Sequence, residues 1–390
     1  KALGLICKVY VLSLMTDAYG DIPYNEAGKG DVSGLEFPHY QEQKEVYRLM
    51  LADLETANQL LKSLKADATI SDDILFNGDA VKWRKYANSL KVRILMRQSA
   101  KKDVSADIAA IFNNAQEYPV FTSIDDQATL VYNNTVDFYK WYIQPKNLPS
   151  DGSGVIFGDN FRVSEAIVDA LQTKDDPRLP VYVAPTKHSF EAHRANASVP
   201  FVYRGQPAGL SAAEQNEIDK DDYSVLSSTI RSESRAFVMT FAELQFLKAE
   251  AIIRGMITGN AADEYAKGIR ASMQKWAAIS SDDVDVYLAR PDVALNTAQN
   301  EALKQIGTQA WIDSFLNGFE AFANWRRTGY PELKVGTSVS SAIPVRYIYS
   351  DNEQNNPNLI SWTNEKIGRM VNETDMVWFQ PQKWNTNVYR

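Results

Sequence analysis

Residues 237–278 read FVMTFAELQFLKAEAIIRGMITGNAADEYAKGIRASMQKWAA. Phe237, Phe241, Leu244, Leu247, Ala251 and Ile252 recur at three- and four-residue steps, which predicts a helix over 237–254 that buries a broad arc. Gly255-Met256-Ile257-Thr258-Gly259-Asn260 supplies a turn. Ala262, Tyr265, Ala266, Ile269, Met273 and Trp276 then share one face of a second helix, over 261–278. Two amphipathic helices joined by a short glycine-bearing turn make a helical hairpin, so this stretch predicts a mainly α protein.

The same periodicity runs outward on both sides. Leu3, Ile6, Cys7, Tyr10 and Leu14 predict a helix over 2–19, stopped by Gly20 and Pro23. A loop over 20–38 follows. Further helices are predicted over 41–64, 80–99, 104–114, 164–172 and 297–317. The helix over 80–99 carries Lys82, Arg84, Lys85, Lys91 and Arg93 opposite its apolar face, and these read as a solvated surface. Asp176-Pro177 starts a turn, because proline disfavours helix before it.

Between these helices the chain changes character. Residues 117–160 mix Pro, Asn, Gly, Asp and Tyr with short apolar pieces, which predicts a long excursion with short strands near 129–132 and 155–157. Residues 180–232 also read as irregular, with short strands near 179–183 and 201–203. From Tyr330 onward loops and short strands are expected. The whole is predicted to be one unit over 1–390, with the helical scaffold mainly in 1–115 and 233–327 and the loop-rich, ligand-facing part mainly in 116–232 and 328–390.

Composition narrows the function. The net charge of −8 disfavours nucleic acid as a partner. One cysteine, Cys7, permits no internal disulfide and reads as a buried small hydrophobe. No run reads as the roughly 18 apolar residues of a membrane span. The three histidines, His39, His188 and His193, form no metal-ligand spacing. Asp282-Asp283-Val284-Asp285 lacks the glycine and glutamate of a calcium loop and reads as a helix cap or solvated turn. Gly152-Ser153-Gly154 reads as a flexible loop and not as a nucleophile elbow or phosphate cradle. No catalytic residue, metal or cofactor is therefore assigned. Paired carboxylates stay open, because only their separation in space tests them.

Several segments, in order, resemble the SusD/RagB family, and its SusD-like branch above all. They are Thr16-Asp17-Ala18-Tyr19-Gly20-Asp21-Ile22-Pro23-Tyr24-Asn25-Glu26-Ala27, Asn77-Gly78-Asp79 with Trp83 and Ala87-Asn88-Ser89-Leu90-Lys91, and Asp175-Asp176-Pro177-Arg178-Leu179-Pro180. Thr240-Phe241-Ala242-Glu243-Leu244 with Lys248-Ala249-Glu250-Ala251 follows, then Asn324-Trp325-Arg326-Arg327-Thr328-Gly329-Tyr330-Pro331 and Ile343-Pro344-Val345-Arg346-Tyr347. Tyr349-Ser350 departs from the family's more frequent Tyr-Pro. The resemblance implies tetratricopeptide-like hairpins, stacked as an α-α superhelical scaffold under a face of loops. It also implies a non-enzymatic cell-surface protein, held to the outer membrane by an N-terminal lipid, that delivers glycan or another nutrient to a SusC-like TonB-dependent transporter.

Read physically, most of these motifs are scaffold. Glu243 and Glu250 sit on apolar helices and need partners, for which Arg326 or Arg327 is expected. A sugar site instead needs exposed aromatics beside amides and carboxylates. The best local match is Tyr139, Trp141 and Tyr142 with Asn147 and Asp151, although these rings also serve to pack the loop. Tyr24 and Tyr40 are second candidates, whereas Trp362 and Trp378 read as packing. Two rival readings remain at this level: a glycoside hydrolase on a helical scaffold, and a tetratricopeptide scaffold for a protein partner.

Overall fold

The computed structural model describes residues 1–64, 70–132, 157, 161–276, 278–336 and 342–381. The first group of helices is α1 (Ala2–Tyr19), α2 (Gly30–Ser33), α3 (Gln43–Lys62), α4 (Ala80–Arg97) and α5 (Ser105–Phe112). Strand β1 (Ala128–Val131) precedes α6 (Glu165–Gln172), α7 (Leu179–Tyr182), α8 (Lys187–Ala195), α9 (Ala212–Glu217) and α10 (Ser228–Arg231). Strand β2 (Arg235–Met239) leads into α11 (Phe241–Ile253) and α12 (Ala261–Gln274). The chain continues through α13 (Ser281–Leu288), α14 (Gln299–Asp313), α15 (Gly318–Thr328), α16 (Asp351–Gln354) and α17 (Pro357–Ile367).

The predicted hairpin is α11–α12, and its two helices lie close because Gly268 allows it. A Cβ on Gly268 would stand 2.6 Å from Phe246 Cε1, a separation that no side chain tolerates. Two hydrophobic cores meet on α11. Leu244, Leu247 and Ala251 join the core built by α1, α3, α4 and α5. Ala242, Phe246 and Ala249 join the core built by α6, α7 and α12–α14. A helix buried on both sides must be apolar all round, which is why its apolar residues spread over so broad an arc.

Among the described residues, five buried ion-pair systems cross these cores. Arg93 of α4 makes a bidentate pair with Glu243 of α11, at 2.5 and 2.6 Å. One turn on, Arg97 holds Glu320 of α15 at 2.6 Å and Asp17 of α1 at 3.1 Å. Arg327 pairs with Glu250 at 2.6 and 2.7 Å. Arg178 pairs with Asp176 and reaches Gln309 of α14 and Ser272 of α12. Lys275 binds Asp313, which also accepts from Thr240. The family-like motif residues are thus largely the cross-links between helices.

The structure corrects several sequence expectations. Only Glu250 takes Arg327; Glu243 takes Arg93, and Arg326 instead donates to the Val345 carbonyl and lies 3.9 Å over the Phe322 ring. The basic side of α4 is not a solvated face: Arg93 is buried, Lys85 pairs with Asp126 and Lys91 with Glu55. Cys7 is exposed, because Ile6 and Val9 take the inward positions of α1. α1 also meets the length and hydropathy of a membrane span, yet its inner face packs in the first core.

Local boundaries shift for reasons that lie in caps and pairing. Phe237 belongs to β2, opposite Thr129 of β1, and the helix starts after Thr240, whose Oγ1 accepts from the Glu243 amide. Residues 179–182 form a helix, not a strand, with proline in the first turn. The segment 180–232 holds α8, α9 and α10, and α9 starts with a capping box between Ser211 and Glu214. The tail forms α17, opened by Asn356-Pro357 and closed by Gly368 at φ 72°. The strand expected at 201–203 does not form, and 155–156 lie outside the described residues.

Two stability outcomes follow. Arg97→Met leaves Asp17 buried without its cation and Glu320 with Arg93 alone, at 3.5 Å, and is expected to lose roughly 3–5 kcal/mol in denaturant unfolding; an unchanged midpoint would refute the cross-linking role. For Glu250, burial raises the carboxyl pKa, but Arg327 and Arg254 more than reverse this and hold it at about 2. A depressed carboxyl stabilises above its unfolded value of 4.5 and loses that contribution as pH falls towards 2. The stability gap between the native chain and Arg327→Met should therefore be widest near neutral pH and shrink below pH ~4.5, read by urea unfolding across pH.

Candidate functional site

Gly20 ends α1 at φ 84°, a left-handed position in which a Cβ would meet Val377 at 3.2 Å. The turn it makes delivers Asp21 to a junction of three segments. One Asp21 carboxylate oxygen accepts from the Gln43 amide at the start of α3, at 2.8 Å. The other accepts from Trp362 Nε1 on α17, at 2.9 Å. The Asp21 carbonyl accepts from the Tyr349 hydroxyl at 2.7 Å. Arg346 donates to the Tyr19 carbonyl and lies over the Tyr349 ring.

These contacts form the walls of an open cleft of about 490 Å³. Trp362, Trp378 and Tyr349 supply its aromatic surface, and Lys44, Glu42, Lys366, Arg346 and Asp375 its charges. Trp378 is half-buried and held from both sides. Its neighbours Val377 and Phe379 are buried, and the Phe379 amide donates to Gln43 Oε1. Behind it stands Tyr47, at 6.0 Å between ring centroids. Lys366 bridges from 4.9 Å over the Trp362 ring to Glu42.

Two of the cleft carboxyls, Glu42 and Asp375, are held towards their charged form. Lys366 and Lys44 hold Glu42 below its usual range, and Arg369 does the same for Asp375. A glycosidase acid needs the opposite shift. Burial pushes the Tyr349 hydroxyl up to about 12, so it stays a neutral donor to Asp21.

The sequence candidates fare differently. Tyr139, Trp141, Tyr142, Asn147 and Asp151 lie outside the described residues. Tyr24 and Tyr40 are buried, so neither ring presents a face for stacking. The Tyr24 hydroxyl donates to Asp53, with Lys8 over the ring, and the Tyr40 hydroxyl donates to Glu353. Trp362 and Trp378, read from the sequence as packing, pack and also line the cleft. Among the described residues His188, Asp219 and Asp222 bring ligand-type atoms within 4.8 Å, but His188 already pairs with Asp219 at 2.9 Å and no metal is assigned there.

A family model described as starch-binding, associating with the outer membrane, matches residues 1–350. The chain belongs to the SusD-like family. No curated protein sequence matches it. Among solved structures, this SusD-like chain is similar to an outer-membrane protein of Bacteroides vulgatus linked to nutrient binding, at 26% identity and TM-score 0.83, covering 97% of this chain and 84% of that one. It is similar to a SusD homolog of Bacteroides fragilis, at 25% identity and TM-score 0.78, covering 97% and 83%. A chitin-binding SusD homolog of Flavobacterium johnsoniae matches at 26% identity and TM-score 0.77, covering 97% and 80%. The expected SusD-like helical fold and family are thereby shown.

Asp21→Ala removes the acceptor shared by Trp362 and α3. It is expected to cost roughly 1–3 kcal/mol in denaturant unfolding, and an unaltered curve would show that Asp21 does not hold the cleft together.

Proposed function

We propose that this SusD-like protein binds an oligosaccharide in the cleft between Trp362 and Trp378 and hands it on without cleaving it. The observation that carries this is the cleft itself: aromatic surface flanked by charged and hydroxyl-bearing side chains on braced elements. Sugars present apolar CH faces and many hydroxyls, which such a lining satisfies. The chitin-binding and nutrient-linked relatives support a glycan as the ligand class. Delivery to a SusC-like TonB-dependent transporter and anchorage at the outer face of the outer membrane through an N-terminal lipid belong to the same proposal, supported by the family's outer-membrane association.

The rival hydrolase reading requires one carboxyl kept protonated and one ionised. Glu42 and Asp375 are both held low by cations, which favours binding without turnover.

Trp378→Ala and Trp362→Ala are each expected to weaken glycan binding by roughly tenfold or more, the order of one lost aromatic platform. Calorimetry against a panel of neutral and acidic oligosaccharides measures this, and a reducing-end assay on the same panel should stay at background. Full affinity in both variants would remove the cleft from the account, and released reducing ends would overturn the non-enzymatic reading.

A further inference from the structure

Trp378 does not close the cleft; it divides it from a second cavity of about 640 Å³, and Trp378 and Lys44 line both. The second cavity lies in the groove between α3 and α4. Lys44, Arg48, Leu51 and Ala52 face it at helical spacing from α3, and Lys91 and Leu95 from α4. Its charged lining is Lys44, Arg48, Lys91 and Lys102 against Glu45 and Asp107. Cations outnumber carboxylates four to two in this lining, and Glu42 and Glu55 beside it pair with Lys44 and Lys91, which leaves Arg48 and Lys102 as the cations open to an outside anion.

The cations retain capacity for an outside anion. Arg48 uses Nε and Nη2 on Glu45, two of the five N–H donors of a guanidinium. That pair is exposed, at 64% and 40% of the side-chain surface, and exposed pairs are weak and easily rearranged. Lys102 is more than half exposed and stands 4.0 Å from Asp107, beyond hydrogen-bond reach. Lys91 is different: it is largely buried against Glu55, which neutralises it, and over the Tyr118 ring, so it offers neither free donors nor net charge.

We propose that the bay beyond Trp378 is a subsite for an anionic sugar unit, so that the ligand is an acidic oligosaccharide running across the Trp378 ring. This rests on the glycan reading of the cleft. Guanidinium and ammonium groups recognise a uronate carboxylate and a sulfate ester by the same charge-assisted hydrogen bonds, so the shared chemistry is the anion.

The test uses three hexasaccharides on the full chain: N-acetylchitohexaose (neutral), alternating N-acetylglucosamine and glucuronate, and a sulfated chondroitin hexasaccharide. Calorimetry at low and at 300 mM salt reads the affinities. An acidic ligand is expected to bind roughly tenfold tighter than the neutral one at low salt, with the advantage shrinking at high salt. Whichever of the two acidic ligands shows it names the source of the anion. Arg48→Gln with Lys102→Gln, both at exposed positions, should bring the acidic-to-neutral ratio towards one, whereas Trp378→Ala should weaken both classes. Equal affinities for neutral and acidic ligands in the native chain would overturn the anionic subsite and leave the cleft reading standing. A preference that survives the double variant would place the anion elsewhere and overturn it too. Binding of none of the three would overturn both.

Discussion

Two arginines one turn apart on α4 hold this structure together. Arg93 and Arg97 are buried and reach α11, α15 and α1 through Glu243, Glu320 and Asp17. Removing charges from water is costly, and the cost is offset only by close bidentate geometry of the kind seen here. The arrangement is therefore selective. Helices that approach with the wrong rotation leave a charge stranded, so the network sets the register of four helices where apolar packing alone tolerates several. Three carboxylates share two arginines, and the difference shows in their protonation. Arg97 and Arg93 hold Glu320 low against its burial, whereas burial wins at Asp17 and raises it.

The same network reaches the candidate site. Asp17 accepts from the Tyr47 hydroxyl, and the Tyr47 ring backs Trp378. The Arg97 and Arg326 guanidinium groups lie over the Phe379 ring, at 5.8 and 5.1 Å. Gln43 then spans the remaining gap, donating to the Thr16 carbonyl and accepting from Phe379. The tryptophan that lines both cavities is thus positioned largely by buried side chains behind it. Binding surfaces built this way lose little freedom when occupied, because the ordering has been done during folding.

Legibility differed between scaffold and site. Helical periodicity is a local property, so α1, α3, α4, α11, α12 and α14 were readable within a few residues. The family-like motifs were readable as scaffold, and Arg178, Glu243, Glu250 and Arg327 are indeed buried cross-links. The helices α9 and α17 also carry local signals in the sequence: the Ser211–Glu214 capping box, Asn356-Pro357, and Gly368. The spacing of Phe237 fits the helix that follows it. Its pairing with Thr129, more than a hundred residues away, decided otherwise.

By itself the sequence determined that the chain is mainly helical and which family it resembles, because spacing and motif order are written along one dimension. It also determined that buried acids would need arginine partners, since an unpaired buried carboxylate is too costly. Which arginine serves which acid, whether Tyr24 and Tyr40 are open or sealed, and that Trp362 and Trp378 share a cleft were decided only in three dimensions. Residues 21, 43, 349, 362 and 378 carry no common spacing. They meet because Gly20 turns the chain and because Asp21 accepts hydrogen bonds from three separate segments.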